Sequence, residues 1–239
     1  MEMNNNIKTA LEVETIENLE ALYDRAFMIV KEAVEAGSKN FGLATGGTML
    51  PLYDRIRNSK LDFTKCQSVN LDEYVGLSKT HPESYIAFMK QQLFHEKPFK
   101  KSNLPDGEAI DPSAEAARYE ELLKQLTLDF QLLGVGENGH IGFNEPGTSF
   151  DSETHIVKLS DSTRLANARF FPSLDEVPTE AITMGIASIM RAKQILLIAV
   201  GEKKRMALEA LLKDEVTESI PVTILKNHPN VIVLTDLAI

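Results

Sequence analysis

Five short apolar runs constrain this chain more than any other feature: Phe41–Ala44, Ser68–Leu71, Phe130–Val135, Ile195–Val200 and Val231–Leu234. Each is too short for a helix and lacks the clean alternation of a half-exposed strand. That pattern suits strands buried on both faces of a parallel sheet. Helical patterns lie between them. Ile16, Leu19, Leu22, Tyr23, Ala26 and Phe27 open a series at i, i+3, i+4 spacing that predicts a first helix, with Thr15 as its N-cap and Gly37 as its stop. Further helices are expected over Met49 to Arg57, over Pro82 to Phe94 with proline in the first turn, over Pro112 to Leu126 capped by Asp111, and over Glu202 to Leu212. Strands alternating with helices predict an α/β fold. It is a single-domain, doubly wound, mostly parallel sheet flanked by helices (Rossmann-like), spanning residues 1–239 with residues 1–6 as a loose tail.

Composition narrows the function. A net charge of −10 and the lack of a basic stripe interleaved with aromatics argue against nucleic acid. No apolar run approaches the ~18 residues of a membrane helix, and no signal peptide is visible at the N-terminus, so neither a membrane nor export is expected. Cys66 is the single cysteine, which rules out an intrachain disulfide and makes the cytoplasm the expected location.

In open α/β sheets ligands bind beyond the carboxyl ends of the strands, so the residues following each run matter most. After Phe41–Ala44 stand Thr45, Gly46, Gly47 and Thr48, leading into a helix. Two glycines permit close backbone approach, and a helix N-terminus attracts anions. A phosphate cradle and a merely tight turn both fit this loop, which is not a Walker A motif. After Ser68–Leu71 comes Asp72, either a general base or a capping residue. After Phe130–Val135 comes Gly136-Glu137-Asn138-Gly139-His140-Ile141-Gly142-Phe143-Asn144-Glu145-Pro146, in which His140 and Glu145 could pair for acid/base work. The spacing does not fit a metal site. Lys203, Lys204 and Arg205 open the helix after Ile195–Val200, where cations oppose the macrodipole unless an anion binds. Arg164 and Arg169 fall on a short helical stretch and could clamp phosphate. Together the four strand ends describe a site for a phosphorylated substrate that needs acid/base chemistry.

The strings TGGT, NLDEYVGL with HPESY, GVGENGHIGFNEPG, STRLANARFF and the GEKK helix resemble the glucosamine-6-phosphate deaminases from about Phe41 onward. The resemblance implies conversion of a phosphorylated amino sugar to fructose 6-phosphate and ammonium, with no metal or organic cofactor. It implies Asp72 as the base at C2, and His140, supported by Glu145 and Asn138, as the group that opens the sugar ring. Thr45 to Thr48, Arg169 and Lys204 would hold the phosphate under a lid spanning Leu159 to Thr183. Many members of that family carry Asp at the position of Asn138 and Asn at that of Glu137, so Glu145 would have to stabilise an imidazolium alone. Regulated members bind an effector phosphate through an Arg and a Lys, and the matching positions here are His155 and Val157. Those members also extend past the last strand, so absence of activation by N-acetylglucosamine 6-phosphate is expected. The related 6-phosphogluconolactonases share the fold, but their His loop typically reads GHTAS. A lactonase would leave Asp72 without a part. A sugar-phosphate-sensing regulator would need a DNA-binding domain, for which the short N-terminal tail leaves no room. A monomer and a small homo-oligomer are both compatible with the sequence.

Overall fold

The computed structural model describes residues 10–168 and 171–239, apart from the side chains at 162, 166 and 167. The expected loose tail therefore lies outside the described residues. Among the described residues seven strands form one sheet: β1 (Leu11–Thr15), β2 (Asn40–Leu43), β3 (Gln67–Asn70), β5 (Lys101–Asn103), β6 (Phe130–Leu133), β9 (Gln194–Ala199) and β10 (Val231–Thr235). Their order across the sheet is β1-β10-β9-β6-β2-β3-β5, and every pairing is parallel. The five apolar runs became five of these strands, within a residue or two at each end. All four residues of β6 are buried, as are Ile195 to Ala199 of β9, because helices cover both faces.

Among the described residues the α-helices are α1 (Leu19–Glu35), α2 (Leu50–Arg57), α3 (Tyr85–Met89), α4 (Pro112–Gln125), α5 (Asp161–Asn167), α6 (Ile186–Met190) and α7 (Arg205–Lys213). Helix α1 buries Leu22, Ala26, Ile29, Val30 and Ala33 against the sheet. Full burial of a Leu or Ile is worth ~1.5–3 kcal/mol, so this stripe fixes the helix more firmly than propensity does. Its cap is Asn18, whose side chain accepts from the Ala21 amide at 3.0 Å. Thr15 is instead the last residue of β1, paired with Thr235, so the expected Thr15 cap is corrected. The third expected helix also starts later, at Tyr85 after the Ser84 cap, and ends in a π-helical turn over Lys90–Phe94. Pro82 is therefore not its first turn.

A second, three-stranded antiparallel sheet was not legible in the sequence. It runs β4 (Asp72–Tyr74), β8 (Glu180–Thr183), β7 (His155–Lys158). Strands of three and four residues carry too little pattern to be recognised. Beneath it lies a small separate cluster of Tyr74, Phe143, Leu159, Phe171, Val177 and Ala181. In the main sheet the chain proceeds from β2 outward through β3 and β5, then returns through β6, β9 and β10 on the other side. The reversal falls between β2 and β6, which opens a crevice beyond their carboxyl ends.

Candidate active site

That crevice is a cleft of about 580 Å³ bounded by the loops after β2, β6 and β9 and by β4. Of the residues singled out in the sequence, Thr45, Gly46, Thr48, Asp72, Asn138, His140 and Lys204 all line it. Glu145 stands behind His140 rather than on the wall, and Gly47 opens the turn beneath the loop. Arg169 lies outside the described residues.

Two walls share one backbone device. Gly46 (φ 101°) and Gly201 (φ 88°) each adopt a conformation that side chains disfavour. Each is followed by a 3₁₀ turn, Gly47–Met49 or Glu202–Lys204, that runs into α2 or α7. The amides at such helix starts lack intrahelical partners and favour an anion. The first loop is braced from behind, since Tyr23 donates to the Thr48 carbonyl at 2.8 Å and Tyr53 to the Ala44 carbonyl at 2.5 Å. Lys204 is half-buried, and that burial pulls its ammonium below the usual lysine pKa. A bound phosphate would repay the desolvation.

Asp72 sits at the floor. The sequence set it just past the Ser68–Leu71 run, as a base or a cap; in the fold it begins β4, opposite Thr183 of β8. Burial, with a smaller contribution from the Glu73 charge, raises its carboxyl pKa to about 8. A carboxyl so poised is suited to proton transfer near neutrality. Glu73 points away and accepts from the amides of Tyr74, Tyr85 and Ile86 at 2.9, 3.0 and 3.0 Å. It thereby fastens the start of α3 and presents Tyr85 to the cleft.

The third wall is the glycine-rich loop after β6. It turns through Gly139 (φ 85°), and the Gly136 amide donates to the His140 carbonyl at 2.9 Å. The His140 ring lies so close over Gly136 that a Cβ there would stand 2.2 Å from it. His140 Nδ1 is 2.8 Å from Asn138 Oδ1, and the Asn138 amide donates to Glu145 Oε2 at 2.7 Å. With Nδ1–H donated to that carbonyl oxygen, the neutral ring keeps its lone pair on Nε2. The adjoining His140 imidazole, and then the hydrogen bonds from Asn138 and Thr163, lower the Glu145 pKa to about 2. Glu145 Oε1 is 3.5 Å from Nδ1, so its charge acts on the ring without a direct bond. Asp at 138 would set two carboxylates at this short separation, whereas the amide satisfies both neighbours.

Other cleft residues escaped the sequence reading. Tyr85 and Phe143 supply aromatic walls 6.3 Å apart and nearly parallel, and Thr163 reaches in from α5. All three lie in strings that carry the family resemblance, Tyr85 in HPESY, Phe143 in GHIGFNEP and Thr163 in STRLANARFF, but nothing in their residue types pointed to the cleft. Arg164, a candidate phosphate clamp, instead donates to the Leu174 and Val177 carbonyls at 3.0 and 3.3 Å and ties its own segment together. Among the described residues no group of three or more His, Cys, Asp or Glu side chains is gathered as metal ligands would be, and no helix is long and apolar enough to cross a membrane.

The profile of the family described as "Glucosamine-6-phosphate isomerases/6-phosphogluconolactonase" matches residues 15–233. The chain belongs to this family. Within it, the chain is 65% identical over 203 residues to a glucosamine-6-phosphate deaminase of Lysinibacillus sphaericus, a match covering 85% of this chain and 92% of that one. It is 55% identical to the deaminase of Streptococcus thermophilus, over 89% of this chain and 91% of that one. A solved monomeric glucosamine-6-phosphate deaminase superposes with a TM-score of 0.91 at 42% identity, covering 94% and 96% of the two chains. The 6-phosphogluconolactonase of Trypanosoma brucei superposes at 0.77 with 19% identity, over 95% and 97% of the two chains, which is a likeness of fold.

Proposed function

We propose that the chain is a glucosamine-6-phosphate deaminase, converting glucosamine 6-phosphate and water to fructose 6-phosphate and ammonium. The observation that carries this is the buried Asp72 facing the same cleft as the His140–Asn138–Glu145 set and the Thr45–Thr48/Lys204 walls. A lactonase needs one group to activate water and an anion cradle, but no base at C2. Here a second, desolvated carboxylate is present, and the isomerisation supplies its task.

In this reading Thr45 to Thr48 and Lys204 receive the phosphate, with Arg169 as a further contact. Neutral His140 takes the anomeric hydroxyl proton on Nε2 and returns a proton to the ring oxygen, which breaks the C1–O5 bond and yields the open aldehyde. Asp72 removes the C2 proton and delivers it to C1, while the C2 ammonium gives up a proton and the C1 oxygen gains one, so that C1 becomes CH2OH and C2 an iminium. The resulting iminium at C2 adds water and expels ammonia, so the overall chemistry is isomerisation with C–N hydrolysis. Each step moves a proton between groups that the cleft and the substrate supply.

The test is a coupled assay of fructose 6-phosphate and ammonium from glucosamine 6-phosphate, run beside acid release from 6-phosphogluconolactone. Stoichiometric ammonium and ketose support the proposal. Turnover of the lactone alone would replace it with the lactonase reading.

A further inference from the structure

Glu145 has a hydrogen-bond donor that the glycine-rich loop does not provide. Thr163, in the first turn of α5, places Oγ1 3.0 Å from Glu145 Oε1. The direction of this bond is set by its neighbours. Ser160, the cap of α5, accepts from the Thr163 amide at 3.2 Å and gives its own hydroxyl proton to Thr163 Oγ1 at 2.9 Å. The Thr163 proton is then directed at the carboxylate, because Oγ1 already accepts from Ser160. Thr163 also lines the cleft. One hydroxyl on the segment bordering the substrate space is thus bonded to the carboxylate behind His140.

We infer that Thr163 is a positioning residue for the acid/base pair. It holds Glu145 Oε1 off His140 Nδ1, so that the ring stays engaged with Asn138 and keeps Nε2 unprotonated for ring opening. The two Glu145 oxygens divide the work. Oε2 is held by Asn138 at 2.7 Å and Oε1 by Thr163, which leaves Oε1 at 3.5 Å from the ring. Without the hydroxyl, Asn138 still anchors Oε2, but Oε1 is unquenched and turns its charge on Nδ1. That charge favours the imidazolium, the form unable to take a proton. Among the described residues the other charged groups facing the cleft are Asp72, Glu137 and Lys204, none of which bonds Glu145.

This inference rests on the deaminase reading. Its test is Thr163→Val and Thr163→Ser in the full chain, assayed with glucosamine 6-phosphate across pH. Valine keeps the shape and the amide bonded to Ser160, and removes only the hydroxyl. For Thr163→Val, kcat should fall about three- to tenfold with KM within about twofold, and the His140 imidazole, followed by NMR across pH, should take up its second proton at higher pH than in the wild type. Thr163→Ser should restore both. An unmoved His140 titration in an active Thr163→Val enzyme, or a serine variant no better than valine, would overturn the role of the hydroxyl. A wild type that releases no ammonium at any pH would instead overturn the functional reading beneath it.

Discussion

Asp72→Asn separates the catalytic and the structural consequences of one buried carboxyl. Its folded-state pKa of about 8, against an ordinary 3.8, arises chiefly from burial. Between those values the folded chain holds a proton that the unfolded chain has released, so stability falls as pH rises across the window. The full displacement corresponds to at most about 5–6 kcal/mol at 1.36 kcal/mol per pH unit. Local relaxation and water entry reduce that ceiling, and about 2–4 kcal/mol is expected above pH 8. Asparagine has nearly the same shape and never ionises. The variant should match the wild type near pH 4–5 and melt roughly 5–12 °C higher at pH 8.5. It should also lose about 10²–10⁴-fold in kcat, since it cannot accept the C2 proton. In the wild type only roughly one-tenth of the free enzyme carries the ionised base at pH 7, so kcat/KM should still be rising there. Thermal unfolding at half-unit pH intervals, with initial rates on the same samples, checks both arms. A melting difference constant between pH 5 and 8.5, or near-normal turnover, would refute the reasoning.

Lys204→Ala should raise KM for glucosamine 6-phosphate about tenfold or more through loss of a charge-assisted contact, while inorganic phosphate should inhibit the wild type more strongly than the variant. Gly136→Ala should cost on the order of 10² in kcat, because a Cβ 2.2 Å from the His140 ring must displace it; circular dichroism should report an unchanged fold, and an alanine variant with normal turnover would contradict the placement of the ring. Kinetics should stay hyperbolic on adding N-acetylglucosamine 6-phosphate, since His155 Nδ1 is bonded to the Glu153 carbonyl and Val157 packs against the small apolar cluster. A sigmoidal rate curve made hyperbolic by that compound would overturn this.

Much of the frame was written in the sequence. Runs such as Ile195 to Ala199 can be soluble only if covered on both faces, so their spacing dictated a parallel sheet with helices on each side. The loops at the strand ends followed, and with them Thr45, Asp72, His140 and Lys204 as candidates; a tight turn, a cap or a solvated basic turn fitted their strings as well until the resemblance singled them out and the fold gathered them in one cleft. Tertiary structure decided what depends on distance between segments far apart in the chain. Strands of three residues, such as Asp72–Tyr74, form only because β8 is alongside, so the antiparallel sheet that desolvates Asp72 left no periodic trace. Thr15 is as good a cap as Asn18 in isolation; its pairing with Thr235 at the other end of the chain removed it from the helix. Asn138 read as a weakened Asp until its amide was found between His140 and Glu145, where donor and acceptor are both needed. Thr163 looks like any helix-start threonine, and its place in the chemistry comes from a carboxylate eighteen residues away, brought within 3.0 Å by the fold. Composition and periodicity record which groups must be buried, while partnership across the cleft is a property of packing alone.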